Sequence, residues 1–238
     1  MATQSDPLPE SFVPLSKLPH FDPREVPVTA IDSHLPAVAA SALTPDALRA
    51  RFVAPPQWTP ELRAELRFSD RPPAQASVLV AIVMRSEPTI LLTERTTHLS
   101  THSGQVAFPG GKRDDTDRDA AHTALREAQE EIGLDPARVQ VLGMLPTYTT
   151  GTRFIVTPVV SLVDVSHVVT ANPHEVADVF EVPLAFLMNP AHHRRHEIEA
   201  GGVKREWFSM PYMDGNTQRF IWGATAGMLR NLYRFLAA

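Results

Sequence analysis

Residues 117–133 make two demands that few folds can meet together. Ala121, Ala124, Leu125, Ala128 and Ile132 recur at i, i+3, i+4, i+7 and i+11, one apolar stripe of an α-helix. Its small alanines ask for close packing, as against the face of a sheet. Beside the stripe lie Glu127, Glu130 and Glu131, again at helical spacing and so along one edge. Like charges placed this way repel, by about 0.2–0.5 kcal/mol per pair in an isolated helix. A chain that tolerates this at the rim of a packed helix has a use for the carboxylates, and a divalent cation is the simplest partner. Mg2+ prefers oxygen ligands, commonly one or two carboxylates together with the phosphates of a substrate. The stripe therefore implies a helix laid on a sheet, and its edge implies metal-assisted chemistry on a phosphate compound.

The neighbouring chain supplies the sheet. Ser77-Val78-Leu79-Val80-Ala81-Ile82-Val83-Met84 is a near-continuous apolar run suited to a buried strand, and residues 89–95 form a second. A short strand at 105–108 follows a polar loop and is ended sharply by Pro109-Gly110-Gly111. Thr116 or Asp117 is expected to cap the helix, which covers about 117–132, and Gly133 to close it. Further strands are expected at 139–142, 154–162, 179–182 and 204–210. A short helix is expected at 183–187 and a closing amphipathic helix at 224–236. Ahead of this domain, residues 76–238, lies a Pro-rich segment, residues 1–75, read as an arm packed on it or, before residue 40, as disordered chain. Thr44-Pro45 and Thr59-Pro60 each carry the signal for a short helix, running to Phe52 and to Leu66.

Bulk properties narrow the function classes. Hydrophobic residues make up 43% of the 238, enough for a sizeable core. With no cysteine, disulfides and thiolate metal sites are excluded. A net charge of −5 argues against general nucleic-acid binding, which carries a basic footprint. No run approaches the roughly 20 apolar residues of a membrane helix. Met1 to Glu10 is not a secretory leader, and Phe235-Leu236-Ala237-Ala238 is not a peroxisomal address, so a cytoplasmic location is expected. A homodimer formed through the arm is compatible with the sequence.

Arg126-Glu127-Ala128-Gln129-Glu130-Glu131-Ile132-Gly133-Leu134 resembles the second half of the Nudix hydrolase signature, Arg-Glu-U-x-Glu-Glu-x-Gly-U with U aliphatic, if Ala128 counts as U. Upstream, five residues separate Gly111 from Asp117, where that family has glutamate, and eight separate Asp117 from Arg126, one more than the family pattern. Leu91-Leu92-Thr93-Glu94-Arg95-Thr96, Gly104 and Phe108-Pro109-Gly110-Gly111 further resemble the signature of a coenzyme A diphosphatase subgroup at matching spacing. Thr96 stands in place of its serine and Ser100 in place of an arginine. The longer spacer and Ile221-Trp222-Gly223-Ala224-Thr225-Ala226 are similar to the same subgroup, so the likeness spans about 77–236.

That resemblance implies an α/β fold, a Nudix-type α/β/α sandwich with a mixed curved sheet. It implies hydrolysis of coenzyme A or acyl-coenzyme A to 3′,5′-ADP and (acyl) 4′-phosphopantetheine. ADP-ribose or NADH is the alternative class of conjugate, kept open by Ser100. Mg2+ or Mn2+ would be held by Glu127 and Glu131, with Glu130 as a further ligand or as base. Arg95, Gly104, Phe108, Gly110 and Gly111 would form the substrate-binding side. Gly110 and Gly111 read either as unhindered backbone beside the ion or as a tight turn. Arg126, counted with the catalytic residues, reads as an ion pair within the motif loop, with Asp117 as partner, or as a direct phosphate contact. Arg95 reads as a phosphate ligand or a solvated arginine. His192-His193-Arg194-Arg195-His196 reads as a solvated loop or a contact for the 3′-phosphate, and Glu175 as an exposed cap or a loop base. Trp207, Phe208 and Tyr212 read as core or as a stack for adenine.

Overall fold

The computed structural model describes residues 21–66, 72–96, 104–200 and 202–238. Its centre is a mixed sheet built on β2 (Ala74–Val83) and β8 (Phe154–Val163), which run parallel and in register from Ala74↔Phe154 to Val83↔Val163. β3 (Thr89–Arg95) joins antiparallel to β2 and pairs along its length with β9 (Val176–Pro183). β4 (Val106–Ala107) extends that edge, and β6 (Val139–Met144) and β7 (Tyr148–Thr149) share the far side of β8. This is the mixed-sheet α/β architecture expected from the sequence.

The apolar run in β2 is continuous because both of its faces are covered. Leu79, Ala81 and Val83 pack with Ala124, Ala128 and Ile132 of α2 (Ala120–Ile132). Val80 and Ile82 point the other way, toward Met228, Leu229, Leu232 and Phe235 of α4 (Gly223–Ala237). Pro158 sits inside β8 without breaking it. Its carbonyl accepts the Leu145 amide at 3.0 Å, and its missing N–H falls where β6 gives way to β7.

A second sheet, in the order β1-β10-β11-β12, is antiparallel throughout. It is made of β1 (Val28–Ile31), β10 (Arg194–Ala200), β11 (Val203–Asp214) and β12 (Thr217–Trp222). Arg219 of β12 ties it to the first sheet. The guanidinium meets Glu94 at 2.8 Å, also pairs with Asp178, and lies 4.2 Å from the Phe180 ring centroid. Glu94 and Asp178 are opposed across the β3–β9 ladder, so Arg219 relieves a like-charge pair.

Several expectations are corrected. The helix cap is Asp119, whose carboxylate accepts the His122 amide at 2.8 Å; Asp117 is engaged elsewhere and Thr116 turns to Asp114. The segment after Pro60 is not a helix. Ala64 bridges Thr149, and Leu62 is pinned by Asn231 at 3.1 Å, so tertiary pairing overrides the local signal. Thr44 does cap α1 (Pro45–Val53), accepting the Ala47 amide. Gly110 and Gly111 do not simply end a strand: they begin β5 (Gly110–Lys112), antiparallel to β2. The His192–His196 stretch is no solvated loop, since Arg194 opens β10 and both His193 and His196 are buried. Trp207 and Phe208 are core residues, Trp207 stacked on His196 at 5.6 Å. Among the described residues no helix is long and apolar enough to cross a membrane.

The described part of the N-terminal segment is built into the body. β1 adds to the edge of β10, and Leu43 and Leu48 enter the main core. Phe52 and Trp58 pack at a tilt against Phe235, at 4.8 and 5.3 Å between centroids. Asp32 and Glu61 from this segment meet Arg195 and Arg230 in a charged network, buried at Asp32 and Arg230 and open to solvent at Arg195.

Candidate active site

α2 lies across β2 and β5, and its position fixes the acids. At its C-terminus Gly133 takes the left-handed conformation, φ 66°, and ends the helix. The last carbonyls are satisfied by the loop before β9. The Asn172 amide donates to Glu131 O and the Thr170 amide to Ile132 O, each at 2.8 Å. This brings Glu175, which follows in the same loop, to the site.

Gly110 and Gly111 are required by close approach. A Cβ on Gly110, at φ 156°, would lie 2.4 Å from Ser77 O; on Gly111 it would lie 2.4 Å from Glu127 Oε2. The Glu127 carboxylate thus rests directly on bare backbone. The Gly110 amide donates to Glu131 Oε2 at 3.0 Å. A methyl group at position 111 has no room unless that carboxylate moves. Gly111→Ala is therefore expected to lower kcat by about 10²-fold, the scale of misplacing a reacting group by an ångström. Wild-type kcat with an unchanged melting temperature would count against the placement of Glu127.

The two inner acids carry the electrostatic burden. Glu131 is 4% exposed, and burial pushes its carboxyl up to about 7. The Gly110 amide and Arg95 pull against that shift, while Glu127 and Glu175 add to it. Burial also raises Glu127; Arg126 opposes, and Glu130 and Glu175 reinforce. Glu130 stands apart. Its side chain is 58% exposed and is drawn to Arg126 Nη1 at 3.0 Å. Among the described residues no three acids or histidines converge as a ready-made metal cage.

Arg126 organises the loop before the helix. Its Nε and Nη2 fork onto Asp117 at 3.0 and 2.9 Å, and Nη2 also donates to Lys112 O at 3.2 Å. Nη1 reaches Glu127 Oε1 at 2.9 Å. The Arg126 hydrogen bonds outweigh burial and hold Asp117 well below the usual carboxylate range. His122 Nδ1 also meets Asp117, at 2.9 Å. His122 lies inside the lengthened spacer, where no periodicity marks it in the sequence. Arg126 is thus a positioning residue that holds β5, the motif loop and Glu127 together.

Of the remaining residues read from sequence, Arg95 ends β3 with Nη1 3.8 Å from Glu131 Oε1. Gly104 closes the loop that follows, its amide donating to Arg95 O at 3.2 Å. Phe108 is 3% exposed and packs in the core, so it braces the site instead of lining it. Ser100 lies outside the described residues.

Residues 73–210 match the NUDIX domain family. NudL of Escherichia coli strain K12, an uncharacterized Nudix hydrolase, is 44% identical over 159 residues, covering 66% of this chain and 80% of NudL. A Caenorhabditis elegans Ap4A hydrolase binary complex superposes with a TM-score of 0.41 at 19% identity, covering 50% of this chain and 85% of that one. The NUDIX domain of Shewanella oneidensis NrtR, complexed with ADP ribose, gives 0.38 at 21% identity over 50% and 79%. On the family match and its kinship to NudL, the chain belongs to the Nudix family. Membership places it among hydrolases of nucleoside diphosphate conjugates, which generally use divalent metal ions.

Proposed function

We propose that the protein cleaves the diphosphate of coenzyme A or its thioesters, releasing 3′,5′-ADP and (acyl) 4′-phosphopantetheine. The observation that carries this reading is the pair Glu127 and Glu131, set against the Gly110-Gly111 backbone, with both carboxyls raised first by burial and then by neighbouring acids, Glu130 and Glu175 for Glu127, and Glu127 and Glu175 for Glu131. Two carboxylates completed by substrate phosphates suit Mg2+ or Mn2+, and Glu127 and Glu131 are the residues that would hold the ion. When bound, the ion neutralises the diphosphate and acidifies a coordinated water. Water adds to one phosphorus, and the bridging oxygen leaves with the other. Glu130 and Glu175, the exposed acids at the rim, are the groups placed to take the proton. Arg126 holds Glu127 in place, and Arg95 serves the phosphates. The choice of coenzyme A rests on the upstream pattern from Leu91 to Gly111. Residues 76–238 carry the site in this reading, and β1 and α1 of the preceding segment brace it.

A second reading, hydrolysis of ADP-ribose or NADH, is favoured by Ser100 in place of the subgroup's arginine. Hydrolysis of coenzyme A, acetyl-coenzyme A, ADP-ribose and NADH, compared with and without Mn2+, separates the two. Metal-dependent release of 3′,5′-ADP with the highest kcat/KM is expected for the coenzyme A species. Faster cleavage of ADP-ribose or NADH would replace the first reading with the second.

A further inference from the structure

Arg95 occupies an unusual position beside the inner acids. Leu91 faces α2, so strand alternation puts Arg95, four residues on, at the same face. Opposite it β9 bulges: Glu94 pairs with Asp178 but Arg95 with Val176, leaving Ala177 unmatched. Bulges beside sites re-aim side chains. The Arg95 backbone is fixed on both sides, its amide donating to Gln105 O at 3.0 Å and its carbonyl accepting from Gly104. The guanidinium is not fixed in the same way. Nη1 stands 3.8 Å from Glu131 Oε1, close enough for attraction and too far for a hydrogen bond. Nε is buried and has no acceptor among the described residues. Arg126 and Arg230, by contrast, donate directly to carboxylates at 3.0 Å or less. Arg95 is aimed at an acid that it does not grasp.

We propose that Arg95 is an interim counter-ion of Glu131, surrendering it to the divalent ion in exchange for a phosphate oxygen of the substrate. This deepens the reading of the site given above and rests on it. Glu131 also senses the charges of Glu127 and Glu175, so one guanidinium at 3.8 Å leaves the group under-neutralised. When Glu131 shares its charge with an ion, the attraction that holds Arg95 toward it weakens, and Arg95 keeps its open donors. Those donors would then be available to a phosphate of the substrate, whose oxygens a guanidinium fork matches. Arg95 therefore opposes the ion in the absence of phosphate and assists it in the presence of phosphate.

The test uses Mn2+ and α,β-methylene-ADP, whose bridge cannot be cleaved. Isothermal titration of the metal-free full chain with Mn2+ compares wild type, Arg95→Gln and Arg95→Lys, all checked for equal melting temperature. Arg95→Gln is expected to bind Mn2+ about threefold or more tighter, while its affinity for the nucleotide at saturating Mn2+ falls about tenfold. Arg95→Lys keeps the charge but not the fork, so its Mn2+ affinity is expected to match wild type while its nucleotide affinity falls. Unchanged or weaker Mn2+ binding in Arg95→Gln, or unchanged nucleotide affinity, overturns the exchange. Absence of Mn2+ binding by wild type itself would remove the metal site, and this inference with it.

Discussion

Glu131→Gln is expected to lower kcat by about 10³-fold, the several kcal/mol that a metal-held charge contributes to the transition state. The substitution keeps the side-chain shape, and the amide oxygen can still accept the Gly110 N–H that Glu131 now receives at 3.0 Å. The melting temperature should therefore hold, or rise, at pH 8. The reason is linkage. Burial raises the Glu131 carboxyl to about 7, so above that pH the folded state carries a desolvated charge that the unfolded chain solvates freely. A neutral amide lifts that penalty while removing the ligand, which is the trade between stability and activity that functional sites show. Normal turnover would discard the site assignment, and a large drop in melting temperature would make Glu131 a structural residue.

Arg230→Ala should destabilise the fold by about 3–5 kcal/mol, the scale for breaking a buried ion pair by removing one partner. Arg230 is 1% exposed and reaches Asp32 at 2.8 Å, Glu61 at 2.7 Å and His193 at 3.1 Å. Burial alone would raise Asp32; the Arg195 hydrogen bond and the charges of Arg230 and Arg195 hold it low. Alanine would leave Asp32 and Glu61 to Arg195 alone. Urea unfolding measures the loss, and a change under about 1 kcal/mol would show that solvent or repacking replaces the guanidinium. The same network sets the acid response. His193 donates through Nε2 to Leu187 O at 2.7 Å and offers Nδ1 to Arg230, so protonation would set two cations face to face. Burial first, and then Arg230, push its pKa down to about 4 from 6.5. Its stabilisation is complete above about pH 6.5 and drains away as pH falls toward 4, by up to about 1.4 kcal/mol per pH unit. His193→Gln should flatten that part of the stability curve.

The site and its support differ in how far the sequence reveals them. Glu127 and Glu131 are legible because helical spacing alone places them on one edge, and Gly133 marks where the helix must stop. Glu130 obeys the same spacing yet swings out to Arg126, because a flexible side chain at the rim follows the nearest charge. Phe108 and the glycines share one motif, but only the glycines meet the acids; strand alternation turns the phenylalanine into the core.

Short-range physics therefore settles α2, the β2 and β3 runs and the acid pair, since periodicity, caps and bare backbone act within a few residues. The fold of residues 60–66, the burial of His193 and His196, and the charge network belong to the tertiary structure. Asp32 meets Arg195 across 163 positions and Glu61 meets Arg230 across 169, separations at which no local pattern constrains the partner. Desolvation, which raises Glu131 and lowers His193, exists only once the two faces of the sheet are covered.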